Sequence, residues 1–255
     1  MSYSLYCAVE IIMFVTGLIC FFALYFIPAG YGKLIDKKWG FAFNNKIAWI
    51  LMECPTLIVM IYLLCALNYE HRPVRVLLAF FFIAHYIQRT FVFPFLLKGK
   101  SKMPLTIVLM GMIFNTINAL LIGLWIFYFS PAEMYERSWL FDPRFIVGTI
   151  LFFAGMLINI RSDAYIRSLR PAGDSKHYYP SRGMYRYITS ANYFGELVEW
   201  LGFAVLTWSL PGFLFVFWTA CNLVPRADAI YKKYAEIFPD ETARYKPKRI
   251  IPFLY

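Results

Sequence analysis

Seven long apolar runs restrict what this chain of 255 residues can fold into. A helix needs about 20 mainly apolar residues to cross the hydrocarbon core of a bilayer. Because 60% of the residues are hydrophobic, more than a soluble core can bury, the bilayer is the expected solvent. The sequence therefore predicts an all-α integral membrane protein with seven transmembrane helices in one domain. The predicted spans are residues 5–27, 46–67, 74–97, 104–129, 145–167, 192–209 and 211–231.

Lysine and arginine are distributed unevenly between the connections. The first, third and fifth loops and the C-terminal tail are rich in them, whereas the segment before the first run and the turn SLPGF (209–213) have none. Cytosolic loops carry the excess of Lys and Arg in membrane proteins. This alternation predicts an N-terminus outside and a C-terminus in the cytosol. SLPGF also predicts a hairpin between the last two spans.

The net charge of +10 is explained by this topology together with contact with anionic lipid. Nucleic acid is a poor candidate partner, because the charge is spread along helix edges. Five Cys and three His are scattered without metal-binding spacing, so no metal site is predicted. Neither GxGxxG nor GxxxxGK[ST] occurs, so a dinucleotide would have to be held by side chains between helices.

The segment LINIRSDAYIRSLR (157–170) continues the fifth run into polar residues. On a helix extending to its end, Asn159, Asp163 and Arg170 fall within about 40° of each other, and Arg167 lies at the edge of that face. The pattern predicts one polar stripe leaving the membrane toward the cytosol. The alternative is an i,i+4 pair of Asp163 with Arg167 that only solvates the helix end.

A second polar stripe lies in ANYFGELVEWLG (191–202). Asn192, Glu196 and Glu199 fall within about 60° on a helix. Gly195 and Gly202 lie seven residues apart and permit close contact with another helix.

The two stripes begin at a common depth and predict a polar pocket between the two spans. A ligand that carries phosphates is a natural occupant. Arg170 and Arg226 are the candidates for bidentate phosphate contacts.

Ionisable residues inside spans are costly and therefore candidates for function. Glu53 lies two residues before Pro55 in the second run, and HYIQRTFVF (85–93) places Tyr86 and Arg89 in the third. A carboxyl in hydrocarbon is more stable uncharged, and a neutral acid and a tyrosine can both donate hydrogen bonds to one carbonyl. The alternative, left open, is a structural Glu53–Arg89 pair or a Glu53–tyrosine hydrogen bond.

Several motifs occur together along the chain and carry a family resemblance. They are PAGYGK (28–33), AWILMECPT (48–56), HYIQRTFVF (85–93), GMLINIRSDAYIRSLR (155–170), SANYFGELVEWLG (190–202), LTWSLP (206–211) and IPFLY (251–255). In this order they resemble the steroid 5-alpha-reductases, membrane enzymes that reduce 3-oxo-4-ene steroids with NADPH.

The resemblance implies hydride transfer from NADPH to C5 of the steroid, with Glu53 and Tyr86 bonded to the 3-carbonyl. Trp49 and Trp200 become candidates for the walls of the steroid site. The implied cofactor-binding residues are Asn159, Asp163, Arg170, Asn192, Glu196, Arg226, Tyr234 and Lys100. The implied substrate is a lipophilic steroid taken from the bilayer, with NADPH reached from the cytosol and no obligate protein partner. The host would be a bacterial inner membrane or the endoplasmic reticulum.

The sequence departs from the family pattern at Leu97, Lys100, His177, Tyr178 and Ile230, around the phosphate and adenosine end of the implied cofactor site. Related families reduce polyprenol or enoyl-CoA double bonds. Isoprenylcysteine-type methyltransferases, which use S-adenosylmethionine, resemble the C-terminal half. A transporter with acidic proton relays would predict an inverted repeat, and none is evident in the sequence.

Overall fold

Long helices make up most of the chain in the computed structural model, which describes residues 1–27, 39–67, 72–98, 101–171 and 178–255. The helices are α1 (Tyr3–Phe26), α2 (Asn45–Leu67), α3 (Pro73–Ile87), α4 (Phe93–Leu96), α5 (Leu105–Leu124), α6 (Pro143–Ser168), α7 (Ala191–Thr207), α8 (Leu210–Ile237) and α9 (Pro239–Tyr245). Two short strands, β1 (Ala42–Asn44) and β2 (Lys102–Pro104), pair antiparallel beside the starts of α2 and α5.

Six helical stretches within the described residues are long and apolar enough to cross a membrane. They are Tyr3–Phe26, Asn45–Leu67, Pro73–Leu96, Leu105–Phe129, Pro143–Ser168 and Leu210–Ile237. Large apolar side chains such as Ile11, Phe80 and Ile150 are exposed on them, which suits contact with lipid. The protein is therefore an integral, multi-pass membrane protein built from helices.

The predicted sixth span is shorter than the others. α7 has 17 residues, which corresponds to about 26 Å at about 1.5 Å per residue. It falls short of a hydrocarbon core of about 30 Å, and so it lies outside the set of six. It ends at Thr207 and not at residue 209, because Trp208 adopts a left-handed conformation with φ of 44°.

α7 and α8 form the hairpin that SLPGF predicts. The two helices pack against each other. The Ser209 hydroxyl accepts a hydrogen bond of 3.2 Å from the Gly212 backbone N–H and caps α8. α8 runs to Ile237, six residues beyond the predicted end of the seventh span at residue 231. The helix continues past the end of the apolar run into charged residues.

Within the described residues, two stretches of π-helix interrupt the regular geometry, one of them at a candidate functional segment. Gln88–Val92 forms a π-helical turn between α3 and α4. Pro94 follows it and cannot donate to a carbonyl one turn earlier, which favours a change of register at this point. Arg89 lies in this turn. By contrast, α2 continues without a break through Pro55.

α6 and α7 pack with their backbones in close contact, as Gly195 and Gly202 predict. A Cβ at Gly155 of α6 would overlap the backbone of Glu199, and one at Gly202 would overlap the backbone of Phe152. Residue numbers rise along α6 as they fall along α7, so the two helices are antiparallel. Only glycine permits this approach, and the prediction of close helix contact is confirmed.

The stripe predicted on a helix extending to Arg170 needs one correction. α6 ends at Ser168, so Arg170 lies two residues beyond the helix. The reason is Pro171, because a residue that precedes proline avoids helical geometry. Asn159 and Asp163 remain on α6, while Arg170 approaches the same region from the segment that follows the helix.

The close helix contact at Gly155 predicts that the same glycine-to-alanine substitution affects stability differently at two positions. Gly155→Ala forces α6 away from α7 and should lower the free energy of unfolding by about 1–3 kcal/mol, the usual cost of overpacking. Gly111→Ala is the matched control, since its Cβ would meet only the flexible side chain of Met52. Thermal unfolding in detergent, followed by tryptophan fluorescence, measures both. Equal stability of the two variants would contradict the packing argument.

Candidate functional site

A cavity of about 1360 Å³ lies between α1, α2, α3, α5, α6, α7 and α8. A site for one drug-sized ligand usually measures about 300–1,000 Å³, so this cavity has room for two ligands. Most of the predicted site residues line it: Trp49, Glu53, Tyr86, Asp163, Arg170, Asn192, Glu196, Trp200, Arg226 and Tyr234. Lys100 and His177 lie outside the described residues.

Glu53 and Tyr86 reach the cavity from neighbouring helices. Both side chains are buried, with 7% and 3% of their residue surfaces exposed. Asn115 of α5 donates from Nδ2 to Glu53 Oε2 at 3.1 Å and to the Met52 carbonyl at 2.8 Å. Asn115 therefore orients the carboxyl. Its signal in the sequence is an amide within the apolar fourth run, outside the motifs that carry the family resemblance.

Arg89 connects the two polar stripes. Its Nη1 lies 3.5 Å from Asp163 Oδ2, and its Nη2 lies 3.6 Å from Glu196 Oε2. Its guanidinium carbon lies 4.9 Å from the ring centroid of Trp49. One largely enclosed cation thus joins α6, α7 and α2, and it offsets the charge of two carboxylates that are also largely withdrawn from water. Its position inside a span makes Arg89 a candidate, but Asp163 and Glu196 lie more than 70 residues away along the chain, and the sequence does not predict these two pairs.

His85 and Glu199 form a second buried pair. His85 Nδ1 lies 2.7 Å from Glu199 Oε1, and the His85 ring lies 4.4 Å from that of Trp200. Glu199 is fully buried. The second stripe therefore divides: Asn192 and Glu196 line the cavity, while Glu199 holds His85 next to Tyr86.

Asn192 is held from three sides. Its Nδ2 donates to Asp163 Oδ1 at 3.0 Å, its backbone carbonyl accepts from Asn159 Nδ2 at 2.9 Å, and its Oδ1 accepts from the Tyr185 hydroxyl at 3.4 Å. Burial raises the pKa of Tyr185 well above its usual value, so this hydroxyl remains a donor. Asp163, Asn192 and Glu196 form a polar wall of the cavity. Asn159 is not among the residues that line the cavity, and it supports this wall from behind.

Cationic residues gather where α6 ends and α7 begins. Lys98, Arg167, Arg170 and Arg226 all line the cavity. Lys98 Nζ lies 3.5 Å from the Arg170 carbonyl, and Arg226 Nε donates to the Tyr193 hydroxyl at 2.7 Å. Within the described residues, Asp163 forms its ion pair with Arg89 and not with Arg167. Arg167 is therefore positioned to face the cavity and does not serve only as an i,i+4 partner.

Three of the departures from the family pattern also line the cavity: Leu97, Tyr178 and Ile230. They share the cavity lining with Tyr234, a buried residue whose ring centroid is 5.9 Å from that of Tyr179. The lining therefore combines cations with aromatic and apolar side chains.

Trp200 lies at the centre of a cluster of aromatic side chains beside the cavity. Its ring centroid lies 4.2 Å from that of Phe215, 5.8 Å from that of Phe82 and 5.9 Å from that of Tyr86. Only 1% of Trp200 is exposed. This packing fixes the position of the Trp200 indole beside Tyr86.

Comparison with known proteins identifies the family of the chain. A family model described as 3-oxo-5-alpha-steroid 4-dehydrogenase matches residues 101–255. The 3-oxo-5-alpha-steroid 4-dehydrogenase 1 of Bos taurus is 39% identical over 244 residues, which covers 93% of this chain and 92% of the relative. The steroid 5-alpha-reductase DET2 of Gossypium hirsutum is 35% identical over 247 residues, 95% of each chain. The chain therefore belongs to the 3-oxo-5-alpha-steroid 4-dehydrogenase, or steroid 5-alpha-reductase, family.

Proposed function

We propose that this protein reduces the 4,5 double bond of 3-oxo-4-ene steroids with NADPH. The observation that carries the proposal is that one cavity brings the buried hydrogen-bonding groups of Glu53 and Tyr86 together with the polar wall of Asp163, Asn192 and Glu196. The relatives named as steroid reductases supply the substrate class. The protein is accordingly an oxidoreductase that acts on a carbon–carbon double bond.

The residues at the α6–α7 end fit NADPH. Lys98, Arg167, Arg170 and Arg226 supply the positive charge that phosphates require. Ser190 also lines the cavity, and its buried Oγ has no hydrogen-bond partner among the described residues. A polar ligand would satisfy that hydroxyl. When bound, NADPH would supply a hydride to the β carbon of the enone, C5 in a steroid.

The other part of the cavity suits an apolar substrate. Met13, Thr16, Ile113 and Phe114 of α1 and α5 line it, together with Trp49 and Trp200. Since a steroid partitions into the bilayer, we propose that the substrate arrives from lipid and that NADPH arrives from the cytosol. The corresponding host is a bacterial inner membrane or the endoplasmic reticulum.

Glu53 and Tyr86 act on the carbonyl oxygen in the proposed mechanism. As the β carbon gains a hydride, negative charge moves to that oxygen, and the two groups hold it by hydrogen bonds. Asn115 keeps the Glu53 carboxyl in place, and Trp200 packs against Tyr86. The α carbon then takes a proton, which gives the saturated ketone.

We propose seven spans, with the N-terminus outside and the C-terminus in the cytosol. α7 is short, but it lies antiparallel to α6 along its length, and its glycines keep the two helices in contact. The basic loops predict the same orientation. With this orientation, the cationic end of the cavity faces the cytosol, where NADPH is available.

Loss of the polarising groups should reduce turnover and leave cofactor binding intact. Tyr86→Phe removes one donor, and Glu53→Gln replaces an acid with a weaker amide donor. Each should lower kcat by about 10²–10³-fold, the usual effect of losing one oxyanion-stabilising donor. Steady-state kinetics measures this effect, and NADPH fluorescence checks the affinity. Tyr62→Phe on the exposed face of α2 is the control. Wild-type rates in both site variants would show that the pair is misassigned.

Arg170→Ala should weaken NADPH binding by about 10-fold or more, because a charge-assisted hydrogen bond contributes about 1.5–3 kcal/mol. Arg161→Ala, on the exposed face of α6, should bind NADPH like the wild type. Titration of NADPH fluorescence with each purified variant gives the two affinities. Equal affinity in both variants would remove Arg170 from the phosphate site.

The function itself is tested by product analysis. Membranes containing the protein are incubated with NADPH and separate panels of 3-oxo-4-ene steroids, polyprenols and enoyl-CoA esters, and the products are identified by mass spectrometry. We expect a gain of two mass units in the steroid panel. Reduction confined to another panel would reassign the substrate. Binding of S-adenosylmethionine in place of NADPH would favour a methyltransferase.

A further inference from the structure

The C-terminal tail after α9 is tied to the segment that leads into α7. The Thr189 N–H donates to the Lys248 carbonyl at 2.9 Å, and the Ser190 N–H donates to the Arg249 carbonyl at 3.1 Å. In return, the Lys248 N–H donates to the Tyr187 carbonyl at 2.7 Å. The tail thus acts as a short parallel partner strand for residues 187–190.

This contact lies directly behind the cavity. Thr189 and Ser190 both line the cavity, and Ser190 is the residue that precedes the first turn of α7. Asn192, two residues further on, forms the hydrogen bonds to Asp163 and Asn159. The position of the tail backbone therefore determines where the polar wall begins.

One ion pair fastens the tail to α8. Arg249 Nε donates to Asp228 Oδ1, and its guanidinium carbon lies 4.8 Å from the ring centroid of Tyr231 and 5.0 Å from that of Tyr255. The Asp228 side chain is only 8% exposed. An arginine held by a carboxylate and two rings has limited freedom, and its geometry can hold the backbone that carries it.

Apolar packing and chain reversal complete the attachment. Ile250 is fully buried in a cluster with Leu223 and Ala227 of α8. The N–H groups of Ile250 and Ile251 both donate to the Tyr255 carbonyl, at 2.8 and 2.7 Å. Arg249 is therefore the charged anchor of a small folded unit and not part of a loose terminus.

We propose that Arg249 is a positioning residue for the cofactor site. Through Asp228 it holds the Lys248 and Arg249 carbonyls against Thr189 and Ser190, and so it places the start of α7 for ligand binding. Its own side chain does not line the cavity. The inference rests on the proposed NADPH function and extends it to a residue outside the cavity. Without this anchor, NADPH binding must also order the start of α7, which costs free energy. The affinity for NADPH therefore falls, whereas the reaction rate of the bound complex is retained.

The test compares variants of the two cations that contact Asp228 among the described residues. Arg249→Ala removes the ion pair between the tail and α8, whereas Lys232→Ala removes the other, largely exposed partner, which lies 2.8 Å from Asp228. Each purified full-length variant is titrated with NADPH by fluorescence, and its kinetic constants and thermal unfolding are measured. We expect Arg249→Ala to raise the NADPH Kd and KM about 10-fold, with kcat at saturating NADPH within about 2-fold of wild type. Lys232→Ala should match the wild type, and Arg249→Lys should restore much of the affinity.

The possible outcomes separate the two proposals. If Arg249→Ala lowers only the unfolding temperature while Kd stays at the wild-type value, the residue is merely structural and the inference fails. Arg249→Gln removes the positive charge but keeps a polar side chain, so it serves as the second variant if the alanine substitution prevents folding. A wild type without measurable NADPH binding contradicts the proposed function and this role together. A wild type that binds NADPH no more tightly than Arg249→Gln contradicts only the role of Arg249.

Discussion

The close contact of α6 with α7 is the constraint on which the rest of the site depends. Glycines at positions 155, 195 and 202 allow the two backbones to touch, and small residues at such contacts favour helix association in membranes. At this separation, Asn159 and Asp163 of one helix reach Asn192 of the other. A wider separation would leave these amides and carboxylates unsatisfied in an apolar setting.

The close contact also brings two carboxylates together, and the protein compensates with a cation from a third helix. Arg89 lies between Asp163 and Glu196 and against Trp49. In addition, His85 lies within hydrogen-bond distance of the buried Glu199. Arg89 and His85 both come from the single segment 85–89, just before and within the π-helical turn. The same segment carries Tyr86, so the charge balance of the wall and the position of the Tyr86 hydroxyl are coupled.

Much of this architecture follows from sequence periodicity, and what does not follow has identifiable causes. Apolar run length predicts the helices, and 100° spacing predicts that Asn192 and Glu196 share a face. Periodicity along one helix does not encode how far a neighbouring helix is shifted, so it does not predict the Arg89 and His85 pairs. It also puts Arg170 on a helix that Pro171 ends early. The backbone hydrogen bonds between the tail and residues 187–190 join residues about 60 apart and leave no local pattern in the sequence.

The central claim is that one cavity holds a hydride donor and an enone side by side. The most direct measurement uses NADPH deuterated at C4 of the nicotinamide on the face that is transferred, with the purified protein and a 3-oxo-4-ene steroid. Mass spectrometry and nuclear magnetic resonance of the product locate the label. The account predicts one deuterium at C5, together with a solvent-derived hydrogen at C4. A reduced steroid without deuterium at C5, or with the label only at C4, would contradict it.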